Sequence, residues 1–115
     1  MPFYELVCIS RAPMLPEAIN SLLRSTATAV MSNGGVVRQF RNYGAKDLPF
    51  LMKRHGSYHA HGHTWLMLFD ANPSTVGILD RQLRLDARII RSTVVKLGER
   101  LEDVIERPEQ AEELK

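Results

Sequence analysis

Two kinds of apolar pattern alternate along this chain, and their order is the feature that most constrains its fold. Residues 3–10 alternate as a strand that is apolar on both faces, with Glu5 as its only charge. The next apolar residues recur at spacings of three and four, which predicts a helix with Pro16 in its first turn. The stretch "SNGG", residues 32–35, supplies left-handed residues that end a helix. The chain therefore begins with a strand and a helix.

The remaining patterns predict three more strands and a second helix. Residues 36–44 are rich in β-branched and aromatic side chains, which predicts a strand that continues irregularly past Pro49, because proline cannot donate a ladder hydrogen bond. A third strand is predicted over residues 59–70, followed by a helix with Asn72 as its N-cap. A fourth strand is predicted over residues 87–97.

The order strand, helix, strand, strand, helix, strand predicts an α+β fold. In one small domain it favours a ferredoxin-like βαββαβ sandwich, a four-stranded antiparallel sheet with two helices on one face. Two helices cover only one face of such a sheet, yet strands one, three and four are apolar on both sides. We therefore expect a partner to cover part of the open face, since a large exposed apolar patch invites aggregation.

Charge divides the chain into a basic body and an acidic tail. Residues 1–98 carry 12 Lys and Arg against 6 Asp and Glu, whereas residues 99–115 carry 3 against 7. This split predicts a ferredoxin-like domain over 1–98 and an acidic C-terminal tail over 99–115, in which three apolar residues at helical spacing could form a short docking helix. A basic body suggests a polyanionic partner, although charge kept for solubility remains an alternative.

Cysteine content, targeting signals and apolar runs indicate the compartment in which the protein resides. Cys8 is the only cysteine, so no intrachain disulfide can form and a reducing compartment is favoured. The opening "MPFYELVCIS" lacks the pattern of a cleavable signal or transit peptide. No apolar run approaches the ~20 residues that a membrane span needs, so no membrane partner is expected.

All four histidines lie between residues 55 and 63, which raises the possibility of a metal site. His59, His61 and His63 alternate along a predicted strand and would project from one face, as three zinc-binding imidazoles can. Residues 53–69 contain no Asp, Glu or Cys, however, and His55 falls in a predicted turn. We favour polar side chains at the start of a hairpin strand over a metal site and keep a zinc-binding module as the alternative.

No pattern in the sequence predicts catalysis. There is no Walker-type phosphate loop, no GxGxxG and no CxxC, and Cys8 is best interpreted as a small core residue. We expect no enzyme and no cofactor. A small-ligand regulatory module of the same fold needs a Gly-rich anion loop, and "SNGG" is a poor candidate because a helix C-terminus repels anions.

Several short motifs resemble one known family. The stretches "GAKDLPFLMK" (residues 44–53) and "RLDARIIRSTVVKL" (residues 84–97) occur together with "FYELVCI", "NGG" and "FDANP" in the expected order. With these motifs the chain resembles the bacterial-type small-subunit ribosomal protein six family over nearly all of residues 2–98. The N-terminus, Pro49, Phe50 and the His-rich third strand look most like its fungal mitochondrial branch.

The resemblance implies a ferredoxin-like, non-enzymatic constituent of the small ribosomal subunit. Its implied partners are small-subunit rRNA, small-subunit ribosomal protein eighteen and other small-subunit proteins, and its implied location is the mitochondrial matrix. Folded RNA is recognised largely through phosphates and shape, so Lys and Arg side chains with a few aromatic rings are the candidates. Those in and beside the last strand are Arg88, Arg91, Lys96, Phe3 and Tyr4, and those in the hairpin are Lys46, Lys53 and Arg54.

Overall fold

A computed structural model describes residues 1–99, and the predicted acidic tail lies outside the described residues except for Glu99. The elements are β1 (Phe3–Arg11), α1 (Pro16–Ser32), β2 (Val36–Arg54), β3 (Ser57–Asp70), α2 (Pro73–Leu85) and β4 (Ile89–Gly98). The strands form one antiparallel sheet in the order β2-β3-β1-β4. The predicted ferredoxin-like α+β sandwich is therefore confirmed.

The two helices begin and end where turn chemistry requires it. Each has a proline in its first turn, where the missing N–H costs no hydrogen bond. Asn72 is the N-cap residue of α2 as predicted, but its side chain makes no capping hydrogen bond. After α1, Gly34 adopts a φ of 83° in the left-handed region that favours glycine. Within the described part of the chain, neither helix is long and apolar enough to cross a membrane.

The main core lies between the helices and one face of the sheet. Trp65, Met67 and Phe69 of β3 are fully buried there, and they lie opposite Cys8, Leu6 and Tyr4 of β1. The helices contribute the buried side chains of Ile19, Leu22, Val30, Leu79 and Leu83. Because side chains alternate along a strand, Phe3 and Leu68 lie on the other face, where they form a second buried cluster with Leu66 and Leu97 packed against it. The core face of β1 is thus buried as predicted, whereas Glu5, Val7 and Ile9 on the other face are only half-buried, so the prediction that both faces are buried was wrong for that part of the strand.

The hairpin of β2 and β3 is longer than the rest of the sheet. β1 pairs with β3 only as far as Gly62, so the hairpin continues beyond the last residue of β1. We call residues 36–44 and 62–70 the proximal hairpin and residues 45–61 the distal hairpin. The register of β2 against β3 shifts between Asp47 and Met52, and Pro49 lies in that unpaired stretch of the edge strand.

The predicted irregular continuation of β2 is confirmed, since β2 runs to Arg54 and its pairing with β3 resumes at Met52. The predicted starts of two other strands were wrong. β3 begins at Ser57, two residues earlier than predicted, because a two-residue turn joins the strands. His55 and Gly56 form this turn with φ values of 52° and 78°, so His55 is a loop residue as predicted. β4 begins two residues later than predicted, since the carboxylate of Asp86 accepts a hydrogen bond from the backbone N–H of Arg88 and holds a turn there.

Candidate nucleic-acid interface

The distal hairpin and its edge expose large aromatic and aliphatic side chains. Phe50, Leu51 and Tyr58 have exposed fractions of 57%, 63% and 67%. Phe50 and Leu51 lie in the stretch without ladder partners, so the backbone there does not align them with the core face. Tyr43, at the boundary with the proximal hairpin, is 44% exposed. These rings are available for contact with another molecule.

Each of the three aromatic rings has a cation over its face. The Nζ atoms of Lys46 and Lys53 lie 5.9 and 5.6 Å from the ring centroids of Tyr43 and Tyr58. The Cζ atom of Arg91, from the start of β4, lies 6.0 Å from the centroid of Phe50. Such exposed pairs contribute about 0.5–1 kcal/mol each at most, so their value to stability is small.

A ring with an adjacent cation suits nucleic acid. An aromatic face can stack on an unpaired base, while the ammonium or guanidinium group binds a neighbouring phosphate. The pattern was visible in the sequence as "PFLMKRHGSY", where aromatic and basic residues interleave, but the pairing with Arg91 was not. β4 is at the opposite edge of the sheet from β2, and only the path of the distal hairpin brings Phe50 to it.

The basic residues predicted in and beside β4 have different surroundings. Arg88 is held by Asp86, whose carboxylate oxygens lie 3.0 Å from Nε and 2.7 Å from Nη2. This hydrogen bonding lowers the pKa of Asp86 and raises that of Arg88. Lys96 bonds Glu99 at 2.6 Å, and that hydrogen bond raises the pKa of Lys96. Arg91 has no ion pair with a carboxylate among residues 1–99, which leaves its charge available.

Phe3 and Tyr4 lie beside the last strand as predicted, with Tyr4 opposite Lys96, but their rings are not exposed for contact with RNA. Phe3 is fully buried in the second cluster, and Tyr4 is 7% exposed and stacks on Phe69 with ring centroids 5.5 Å apart. Neither ring offers a free face, because the sheet residues of β3 pack against them. The exposed rings of the distal hairpin, which were not singled out from the sequence, take their place in the candidate interface.

Arg54, predicted with the hairpin residues, reaches across to the second helix. Its Nη2 donates a hydrogen bond to the main-chain carbonyl oxygen of Arg84 at 3.2 Å. The structure therefore brings Lys53, Arg54 and Arg91 to one end of the molecule, while Lys46 lies closer to the middle of the hairpin and Lys96 lies at the far end of β4. Sequence analysis did not single out Arg84, which reads as an ordinary surface residue of a helix.

The open face of the sheet carries a separate apolar surface. Val7 lies between Leu66 on β3 and Thr93 on β4, and Val95 is 46% exposed. A cavity of about 190 Å³ on this face is lined by Glu5, Arg41, Tyr43, Leu66 and Leu68. The Nη2 atom of Arg41 is buried and has no hydrogen-bond partner among the described residues. A buried donor without a partner is costly, so this face suits an incoming acceptor.

The histidines of the third strand are divided among separate partners. His61 Nδ1 lies 2.6 Å from Oδ1 of Asp47, and His63 Nε2 lies 2.5 Å from Oδ1 of Asn42. His59 Nε2 is 3.4 Å from the carbonyl oxygen of Arg54. Asp47 lies on β2 and is brought to His61 by strand pairing, not by sequence proximity. In the part of the chain that the structure describes, no three His, Cys, Asp or Glu side chains converge as metal ligands would.

Cys8 faces the main core, where burial raises the pKa of its thiol to about 12. A thiol that stays protonated at neutral pH is a poor nucleophile and a poor ligand. The structure therefore supports the interpretation of Cys8 as a core residue.

Comparisons with known proteins agree with this fold. The model of the family described as Ribosomal protein S6 matches residues 3–96. Small ribosomal subunit protein bS6m of Bos taurus is 40% identical over 96 residues, which cover 84% of this chain and 77% of that protein. The bS6m of Neurospora crassa is 31% identical over 84% of this chain and 81% of that protein. The mitochondrial resemblance thus extends to animal as well as fungal proteins.

A solved structure shows the same fold at low sequence identity. The crystal structure of 30S ribosomal protein S6 from Thermotoga maritima superposes with a TM-score of 0.76 and covers 96% of this chain and 97% of that one. The two sequences are 15% identical, so this likeness concerns the fold alone.

Proposed function

This chain belongs to the ribosomal protein S6 family, and from that premise we propose that it is a structural constituent of the mitochondrial small ribosomal subunit which binds small-subunit rRNA together with ribosomal protein eighteen. The family is structural and not enzymatic. Its members act through the surfaces that they present to RNA and to neighbouring proteins. The proposal therefore concerns which surfaces of this chain meet which partner.

The three cation and ring pairs are the observation that carries the RNA-binding proposal. They lie on exposed residues along the hairpin and at the start of β4, and they contribute little to the stability of the isolated fold. The domain over 1–98 also carries an excess of basic residues, which favours association with a polyanion. We assign RNA contact to Lys46, Lys53, Arg54 and Arg91, and the paired Arg88 and Lys96 are secondary.

The open face of the sheet supports the second part of the proposal. It combines apolar side chains with the buried Nη2 atom of Arg41, which has no hydrogen-bond partner among residues 1–99, and this is the arrangement of an interface core with one polar anchor. We assign this face to ribosomal protein eighteen. Binding there would cover Val95 and supply an acceptor for Arg41.

The mitochondrial part of the proposal is supported by the relatives. Proteins of 31% and 40% identity carry the mitochondrial name bS6m, which favours the mitochondrial small subunit and hence the matrix. The acidic tail over 99–115, outside the described residues, is proposed to remain separate from the RNA surface, because its charge has the same sign as the phosphates.

A binding experiment tests the RNA and partner assignments together. The full chain is titrated into a transcript of the central domain of small-subunit rRNA at several salt concentrations, with and without ribosomal protein eighteen. Binding that tightens with the partner, and that falls steeply with salt, is expected. The variant Arg41→Ala is expected to reduce the partner-dependent gain, whereas Arg91→Ala is expected to lower the salt slope by about one counterion.

Sedimentation tests the cellular assignment. A mitochondrial lysate is run on sucrose gradients at high and low magnesium, and the chain is followed by immunoblot. Co-migration with the small subunit under both conditions is expected of a stably bound ribosomal protein. A peak that stays near the top of both gradients would contradict the proposal.

A further inference from the structure

A polar cavity lies where the distal hairpin meets the second helix and the last strand. Its volume is about 330 Å³, and the end of β2, the last turns of α2 and the start of β4 form its walls. Among residues 1–99, four cationic side chains and one acidic side chain, that of Asp80, line it. The cations are Lys53, Arg54, Arg84 and Arg91.

The positive charge of this cavity is compensated only in part. Asp80 pairs with Arg84, with 3.0 Å between the carboxylate and Nη2. Arg54 donates to a neutral carbonyl oxygen, and Lys53 and Arg91 face aromatic rings. None of these three has an ion pair with a carboxylate in residues 1–99. Among residues 1–99, the cavity therefore has three uncompensated positive charges, two from β2 and one from β4.

Such convergence has a cost unless an anion is present. Like charges brought together repel one another, and the contacts here with rings and a carbonyl oxygen do not neutralise them. A phosphate offers several oxygen atoms in a tetrahedral arrangement, so it can accept hydrogen bonds from donors that approach from different sides. Guanidinium groups suit this role because each presents a planar fork of N–H donors.

We propose that this cavity is a phosphate-binding site, and that Arg84 is one of its ligands. The inference rests on the proposed function for the source of the phosphate, which is the backbone of an RNA strand. The exposed pair of Lys46 and Tyr43 can engage a phosphate and a base along the hairpin, whereas Lys53 lines the cavity, which holds one phosphate at the end of the hairpin. Arg54 is positioned for this by its hydrogen bond to the carbonyl of Arg84.

Because Asp80 pairs with Arg84, replacing each of the two residues should change the affinity for phosphate in opposite directions. Its carboxylate competes with a phosphate for Arg84, so Asp80→Asn should tighten phosphate binding by about two- to threefold instead of weakening it. Arg84→Gln, which removes the charge and keeps a polar side chain, should weaken RNA binding about three- to tenfold and lower the salt slope by about 0.7–0.9. A purely structural role for the Arg84 and Asp80 pair would move both variants in the same direction.

The matched control is Arg81→Gln. Arg81 is exposed on the same helix, three residues before Arg84, and it does not line this cavity. Binding of the central-domain transcript is measured for the full chain and the three variants over a series of salt concentrations, after circular dichroism has verified their folding. The expected order of affinity is Asp80→Asn above the unmodified chain and Arg81→Gln, with Arg84→Gln lowest.

A second measurement separates the cavity from the proposed function. Inorganic pyrophosphate is titrated into the nitrogen-15-labelled full chain, and the amide resonances of residues 89–92 are followed. Saturable shifts that disappear in Arg84→Gln and persist in Arg81→Gln would support the site without any reference to RNA. Absence of such shifts in the unmodified chain would overturn it.

The two measurements distinguish failure of the phosphate-binding cavity from failure of the proposed RNA-binding function. If the chain binds the transcript and Arg84→Gln binds it with the same affinity and salt slope, the cavity inference fails and the proposed function stands. Equal weakening by Arg81→Gln and Arg84→Gln would also overturn the inference, since it would show a diffuse effect of charge. If pyrophosphate binds but the transcript does not, the site holds a free phosphate compound and its assignment to RNA fails.

Discussion

The proximal and distal parts of the hairpin belong to the same two strands, yet they differ in almost every physical property. In the proximal part, Trp65, Met67 and Phe69 are fully buried, whereas in the distal part Phe50 and Tyr58 are 57% and 67% exposed. Both parts contain large apolar side chains, so composition does not explain the contrast. The cause is that β1 pairs with β3 only as far as Gly62. The proximal part stabilises the fold through its core face, whereas the distal part exposes large side chains that the fold does not need.

The largest expected effect on the free energy of unfolding is at the buried side chains of the proximal hairpin. Trp65→Ala removes the largest fully buried side chain, and we expect it to lower the free energy of unfolding by about 3–5 kcal/mol. Tyr58→Ala, in the distal part, should change it by less than about 0.5 kcal/mol. Both changes are measured by urea unfolding followed by circular dichroism. Tryptophan fluorescence is unsuitable, because Trp65 is the only tryptophan and its replacement removes the signal. Similar losses in the two variants would show that the distal hairpin stabilises the fold after all.

A smaller effect is expected at the boundary between the two parts. A Cβ atom on Gly62 would lie 2.5 Å from Cγ2 of Ile9 and 3.0 Å from Cδ2 of Leu48. Gly62→Ala should therefore destabilise the chain by about 1–3 kcal/mol, because the open-face packing of the distal hairpin must move. Gly77→Ala is the matched control: its Cβ meets nothing within 4 Å, and α2 should gain about 0.5–1 kcal/mol. Thermal unfolding distinguishes the two, and a stabilising Gly62→Ala would contradict the close approach.

The smallest expected effect on stability is at the turn of Asp86 and Arg88, which His55 at the tip of the distal hairpin approaches. The hydrogen bond from Arg88 is the main cause of the lowered pKa of Asp86, and the charge of His55 lowers it further. Because the folded pKa is the lower one, the stabilisation is present above the unfolded value of about 3.8 and is lost as pH falls through the folded pKa. Arg88→Gln should cost less than about 1 kcal/mol at pH 7, since the Arg88 side chain is 34% exposed.

The dependence of the unfolding free energy on pH shows whether Arg88 stabilises the fold through its charge. The difference in unfolding free energy between the unmodified chain and Arg88→Gln should be constant from pH 6 to 8 and should shrink as pH falls below about 3.8. Urea titrations at pH 7 and pH 3 measure it. A difference of the same size at both pH values would show that Arg88 acts through packing and not through its charge.

Much of the fold was predictable because its signals are local. Local patterns identified all six elements, the buried core face of β1 and the glycine that ends α1, since each depends on neighbouring residues. The missed starts of β3 and β4 depend on strand pairing and on the Asp86 turn, which involve residues outside the window of a local pattern. Local patterns therefore predicted the element types better than their ends.

The candidate site was less predictable than the fold. Lys46, Lys53, Arg54 and Arg91 were singled out as basic residues, but Phe3 and Tyr4 turned out to be buried and Tyr58 and Phe50 to be exposed. Aromatic character alone carries no information on exposure, which depends on what covers each ring. The interleaving of basic and aromatic residues in the hairpin indicated this surface. The predicted site residues there were basic ones, and the exposed aromatic rings beside them were not among them.

By itself, the sequence determined the order of the elements, the apolar character of each face and the excess of basic residues in the body. It did so because alternation and helical spacing are properties of neighbouring residues. Only the tertiary structure decided that Lys53, Arg54, Arg84 and Arg91 line one cavity, and that Arg91 lies over Phe50. The physical reason is that the hairpin extends past the end of β1 and reaches the opposite edge of the sheet, a path set by strand length and register and not by local pattern.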